Sequence, residues 1–260
     1  MLRKLMLFLA ALVAATACGP LSARPLVELS IVDRDSGQWL QPVRFHGQRW
    51  VPGVPGDRYS VRLTNISGER VLVVLSVDGV NAVSGQTADP TQGGYVLDPW
   101  ESADIDGWRK SLDEVAQFVF TDIGDAYATR TGRPDNVGVI GIAVFREAQP
   151  IIAPPSPPVL RDEARAASAP SAKAASANEA ADTGIAQQRI GTGHGDRQWA
   201  PVAQTGFERA NDRPDQVTQL RYDDIDALVA RGILRRPCCQ WRSRGPQAFP
   251  GGFVPDPPNG

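Results

Sequence analysis

The sequence predicts a mainly β protein: an antiparallel β-sandwich of the jelly-roll or immunoglobulin-like kind, then a disordered linker and a small α/β C-terminal segment. Three observations carry this. Residues 71–75 (VLVVL) form a continuous, largely β-branched run that ends in Asp78-Gly79. Such a run reads as a strand buried on both faces, and Asp-Gly as a tight hairpin. Short apolar or alternating segments separated by Gly and Pro turns fill residues 26–147, with no helical periodicity between them, which is the pattern of stacked antiparallel strands. At Gln149 the composition changes abruptly to Pro, Ala and Ser.

In chain order, residues 1–23 read as a signal peptide. Arg3-Lys4 precede the apolar residues 5–13, too short a run to span a bilayer. Two exits stay open: cleavage after Ala23, or lipidation of Cys18 behind the loose lipobox Ala15-Thr16-Ala17. Either route implies export to the periplasm, free or lipid-anchored. Residues 24–148 then form the sandwich domain. Val27, Leu29 and Ile31 alternate with Glu28 and Ser30, and Tyr59, Val61 and Leu63 with Ser60, Arg62 and Thr64; period two marks half-buried strands. Residues 39–51 suit a hairpin that closes at Pro52-Gly53. Residues 95–97, 115–121 and 137–145 complete about eight strands, and Gly138 and Gly141 in the last suggest a bulge or a close backbone approach.

Residues 149–183 hold too few large apolar side chains to offset the entropy of ordering, so they read as a linker. Residues 184–234 regain pattern. Gln216 to Tyr222 suits a strand. Asp223 or Asp224 can cap a short helix with Ile225, Leu228 and Val229 at i, i+3 and i+4, and Gly232 stands where a helix-ending glycine belongs. This segment is marginal for a core of its own, so it is expected either to dock on the sandwich or to fold weakly alone. Residues 235–260 read as a disordered Pro/Gly-rich tail.

Net charge is −2, and residues 24–150 carry 12 Lys/Arg against 17 Asp/Glu, so a basic nucleic-acid-binding face is not expected. Three cysteines (Cys18, Cys238, Cys239) exclude a framework of structural disulfides, and two histidines (His46, His194) disfavour a histidine-rich metal site. No cofactor is implied.

The stretches RVLVVLSVDGVNAVSGQTA, GGYVLDPWESADIDGWRKS and NVGVIGIAVFRE, with IGTGHGDRQWAPVAQTGFERA and LRYDDIDALVARGIL after the linker, resemble a group of uncharacterised exported proteins of Gram-negative bacteria. The resemblance implies an envelope location and the pairing of the segments on either side of the linker. It transfers no catalytic or binding residues.

Candidate sites are few. Trp108, Arg109 and Lys110 place an aromatic beside two cations and suit a recognition surface, unless Trp108 anchors its loop in the core. His194 lies in Gly191-Thr192-Gly193-His194-Gly195, which lacks the third glycine of a dinucleotide loop and the Gly-Lys-Ser/Thr of a P-loop; a flexible turn with a solvated histidine is expected. The aspartates at 33 and 35 and at 104 and 106 lack the further ligands of a calcium loop, and Asx turns account for them. No GxSxG, HExxH or CxxC motif occurs. The expected role is therefore non-enzymatic, binding another envelope protein or supporting an assembly. The rival is a hydrolase of cell-wall or carbohydrate material acting through carboxylates such as Asp104 and Asp106.

Overall fold

The computed structural model describes residues 24–149 and 188–235. The signal peptide with Cys18, the linker beyond Gln149, and the tail beyond Arg235 with Cys238 and Cys239 lie outside the described residues. The strands are β1 (Val27–Asp33), β2 (Trp39–Leu40), β3 (Val43–Phe45), β4 (Gln48–Gly53), β5 (Arg58–Asn65), β6 (Val71–Val77), β7 (Val80–Asn81), β8 (Tyr95–Leu97), β9 (Ser102–Ile105), β10 (Gly107–Arg109) and β11 (Glu114–Asp122). Helix α1 (Tyr127–Arg130), β12 (Val139–Arg146), β13 (Ile190–Trp199), β14 (Gln216–Asp224) and α2 (Ile225–Ala230) follow.

The apolar run 71–75 does become a central strand. β6 is flanked by β12 along its whole length and by β7 and β8 on its other edge. Val71, Val73, Leu75 and Val77 are fully buried between the sheets, and Leu72 and Val74 pack on the opposite face with Ala143 and Phe145. Asp78 and Gly79 take φ of 53° and 73°, the left-handed pair that closes a two-residue hairpin with the twist of its strands. β5 shows the predicted alternation, with Tyr59, Val61 and Leu63 buried.

Two sheets enclose one core. The first runs β10–β11–β5–β1–β2, with β13 on the far edge of β11 and β9 on β5. The second runs β3–β4–β14–β12–β6–β7, with β8 beside β7 on β6. Every pairing is antiparallel except β4 with β14. The chain changes partner at Asp106: β9 pairs with β5 up to Ile105, whereas β10 pairs with β11 from Gly107.

Two expectations are corrected. The hairpin of residues 39–51 turns at His46-Gly47, where φ is positive at both residues. Pro52 and Gly53 instead continue β4, because β14 lies alongside and pairs with them. The larger correction concerns domain organisation. Residues 24–148 are not a whole sandwich with 184–234 standing apart. β14 lies inside the second sheet between β12 and β4, and β13 covers β11 across eight residue pairs. The local prediction for this segment holds at the helix ends, whereas of its expected apolar face Ile225 is exposed and only Leu228 is fully buried. Asp224 caps α2 through a 2.7 Å bond from the Ala227 amide, and Gly232 has φ of 72°. Leu228 and Ile233 then pack on Trp50.

This topology makes a test. A chain ending at Glu147 lacks β14, so β12 and β4 lose their shared neighbour and the core loses Ile190, Leu220 and Tyr222. Its urea unfolding, followed by tryptophan fluorescence, is expected to show no cooperative transition, whereas the full chain unfolds in one step. A sharp transition in the truncated chain would restore an autonomous N-terminal domain.

Candidate functional site

Two places concentrate unusual chemistry: a buried polar chain between the sheets, and a groove at the open edge of the sandwich. The buried chain joins three strands, β5, β13 and β14, to the β6–β7 turn. Tyr59 Oη lies 2.6 Å from Thr192 Oγ1, which lies 2.7 Å from Tyr222 Oη, which donates to Asp78 Oδ1 at 2.7 Å. The Asp78 carboxylate also accepts the Gly138 amide at 2.9 Å and the Thr192 amide at 2.7 Å. All four side chains are without solvent exposure or within 1 % of it. Gly191 leaves room for this corner, since a Cβ there would lie 2.5 Å from Ala126 Cβ and 2.6 Å from Val137 Cγ1. Burial pushes both tyrosine hydroxyls well above their ordinary pKa, with the Asp78 charge adding to the shift.

Burial raises the Asp78 pKa to about 6, against the pull of its hydrogen-bond donors. Each hydroxyl has one proton, so ionised Asp78 orders the chain in one direction: Tyr59 donates to Thr192, Thr192 to Tyr222, and Tyr222 to Asp78. The chain is a structural tie between sheets, closed to solvent and hence to substrate.

The residues singled out in the sequence separate. Trp108 is 2 % exposed, with its ring edge-on to Phe118 at 4.9 Å and 5.0 Å from Tyr127, so it anchors β10 rather than facing a partner. Arg109 donates to the Ala200 and Leu112 carbonyls and faces Tyr95. Lys110 is exposed. His194 is exposed on β13, so the glycine-rich stretch is a strand and not the expected flexible turn; β11 pairs with it throughout and draws it into the sheet. Partial burial lowers the His194 pKa, and the charges of Lys110 and Arg197 lower it further. His46 sits in the β3–β4 turn of the other sheet, so the two histidines are not brought together.

The aspartates are engaged. Asp33 accepts the Asp35 and Ser36 amides in the expected Asx turn. Arg62 grips Asp104 with two bonds of 2.7 and 2.6 Å, and Asp106 accepts from Ser60 and Gln198 with Arg34 at 3.8 Å. They stand two residues apart along one strand path rather than on opposite walls of a cleft. Among the described residues no group of three or more His, Cys, Asp or Glu could hold a metal ion.

The open groove measures about 1170 Å³ and is walled by residues 94–97, 103–105, 109–112 and 200–205. Residues 200–210 form a strap across it. Arg109 holds the strap at the Ala200 carbonyl, and Arg70 holds Thr205 at 2.7 Å and the Gly206 carbonyl at 3.2 Å. Farther on, Arg209 lies 4.1 Å from the Phe145 ring centre. The amides of Ala200 and Val202 donate to Asp113 and Leu112 at 2.8 Å. This brings Leu112 and Val202 together on the groove wall, exposed by 47 and 37 %, while Trp199, 68 % exposed, ends β13 one residue before the strap. Sequence reasoning passed over this cluster because its members come from two segments about 90 positions apart.

No protein-family model, curated protein or solved structure matches the chain.

Asp78 gives the measurable consequence. Its folded pKa of about 6 stands above the ordinary 3.8, so its contribution to stability is complete below pH 4 and lost as pH rises through 6. The shift corresponds to roughly 3 kcal/mol. Urea unfolding of the wild type and Asp78→Asn between pH 4 and 7.5 should show the wild type's advantage shrinking by about that amount as pH rises. A constant difference would mean that Asp78 does not titrate differently in the folded and unfolded chains.

Proposed function

We propose that this chain is an exported envelope protein that acts by binding another envelope component, not by catalysis. The observation that supports this most is the set of exposed apolar side chains at this edge: Leu112 and Val202 on the groove wall and Trp199 at the end of β13, next to the strap. Large apolar side chains gathered on a surface, with a tryptophan among them and cations nearby, suit the core of a protein contact. Lys110 lines the same groove, and its charge, with that of Arg197, presses on His194. The strap is fixed at both ends, so the cluster is presented on a framework with little to reorganise on binding. The sharing of Asp104 and Asp106 among arginines, a serine and a glutamine removes support from the hydrolase reading. Export rests on residues 1–23 and on the resemblance to exported proteins of Gram-negative bacteria; Cys18 gives the lipid-anchored alternative.

The test uses envelope extracts of the native host. The wild-type chain should sediment in a species larger than its own 27.9 kDa. The triple variant Leu112→Ser, Trp199→Ala, Val202→Ser should sediment alone with its thermal unfolding nearly unchanged, since exposed side chains contribute little to the fold. Identical sedimentation of both would remove the cluster from the contact. The intact mass of the isolated protein reads export directly: a start at Arg24 or acyl chains on Cys18 agrees, whereas retention of Met1 through Ala17 contradicts it.

A further inference from the structure

The make-up of the groove walls says what kind of partner fits. A ligand resting on the face of a sheet meets alternate residues, because successive side chains point to opposite faces. This groove is lined instead by consecutive residues: 94–97 containing β8, 103–105 of β9 and 200–205 of the strap. Along β8 and β9 this puts strand edges on the groove wall, while 110–112 and 200–205 are loop. β8 pairs with β6 on one side, and β9 with β5 on one side; neither has a strand on its other edge among the described residues.

The ladder parity identifies the groups left over. In an antiparallel pair, alternate residues turn both amide and carbonyl away from the neighbour. On β6, the Leu75 carbonyl faces the β7–β8 edge and accepts from Ala82. By the same parity Val71 and Val73 face Leu97 and Tyr95, and Val96 is turned outward. On β9, the Glu101 carbonyl accepts the Asn65 amide, while the Asp106 carbonyl accepts the Phe118 amide on the other side. Ala103 and Ile105 therefore face β5, and Asp104 is turned outward. Val96 and Asp104 both line the groove.

We infer that the groove receives an extended strand of a partner protein, which pairs with the outward backbone groups of Val96 and Asp104. This rests on the binding reading above and specifies it as strand addition to sheet edges, in which main-chain bonds supply affinity and side-chain contacts supply specificity. Charge sets the partner's character. Asp104 is matched by Arg62, and Arg109 is bound to carbonyls. That leaves Glu101, whose carboxylate accepts the Asp98 amide, and Lys110 on the groove wall, neither with an opposite charge within 4 Å among the described residues. The fitting strand carries a cation for Glu101, a carboxylate for Lys110, and an apolar residue for Leu112 and Val202.

The probe is a random 12-residue peptide library displayed on phage and selected on the full chain. Enriched peptides should combine apolar residues with one acidic and one basic residue. Hydrogen exchange read by NMR on the complex should show slowed amides at Val96 and Asp104. Val96→Pro removes an outward amide from an edge strand, where proline is tolerated. It should weaken the selected peptides about tenfold, while Val96→Thr leaves affinity within about threefold. Peptides that bind the exposed cluster without slowing Val96 and Asp104 would overturn the strand inference and leave the binding reading standing. Failure to enrich any peptide, with the native complex still seen by sedimentation, would also overturn it. Exchange on the wild-type complex decides the matter should Val96→Pro unfold the edge.

Discussion

The arrangement depends on one buried carboxylate. The Thr192 amide lies on the side of β13 away from β11, where a further strand would normally meet it. Asp78 meets it instead, from the hairpin of the opposite sheet, at 2.7 Å. The same carboxylate takes the Gly138 amide just before β12 and the Tyr222 hydroxyl of β14. One side chain thus supplies an acceptor to three segments and closes the corner between the sheets. Removing either side of such a contact strands polar groups in the core, the costliest local change a small domain can suffer.

The corner also explains how the chain tolerates a long insertion. Residues 24–149 and 188–235 meet along β11–β13, β12–β14 and β4–β14 and again through Asp78. The entropic cost of closing a loop grows only slowly with its length. The second pairing region adds a further tie: Asp223 is fully buried against Arg231 at 2.8 Å and accepts the Asp224 amide at 2.9 Å. The strap belongs to the same crossing chain. It leaves the end of β13 and runs along the open edge before β14, and so carries Val202 to the groove.

Much of the fold was legible in the sequence. Local signals did their work: the run 71–75, the Asp78-Gly79 turn, the alternation of 59–64, and the Asp224 cap with Gly232 all describe what lies within a few residues. Partner choice was not legible. Residues 216–222 read as a strand, yet nothing in them says that the strand enters the sheet between β4 and β12, so their sequence leaves docking and separate folding equally open. Asp78 was read only as a turn residue, because an aspartate before glycine is ordinary in an exposed hairpin. Its partners lie 60 to 144 positions away. The glycines at 191, 193 and 195 suggested a loop, whereas Gly191 answers to crowding by Ala126 and Val137. Trp108 was legible as a core anchor; the exposed Trp199 was not singled out.

The central claim is that both described segments form one cooperative unit tied at Asp78. Native-state hydrogen exchange tests it most directly, through the Thr192 and Gly138 amides that end on that carboxylate. Both should exchange only through global unfolding, with free energies matching each other and those of the β6 core amides. Faster, independent exchange at Thr192 and along β14, with β6 and β12 still protected, would contradict the account and make the C-terminal segment a separately opening element.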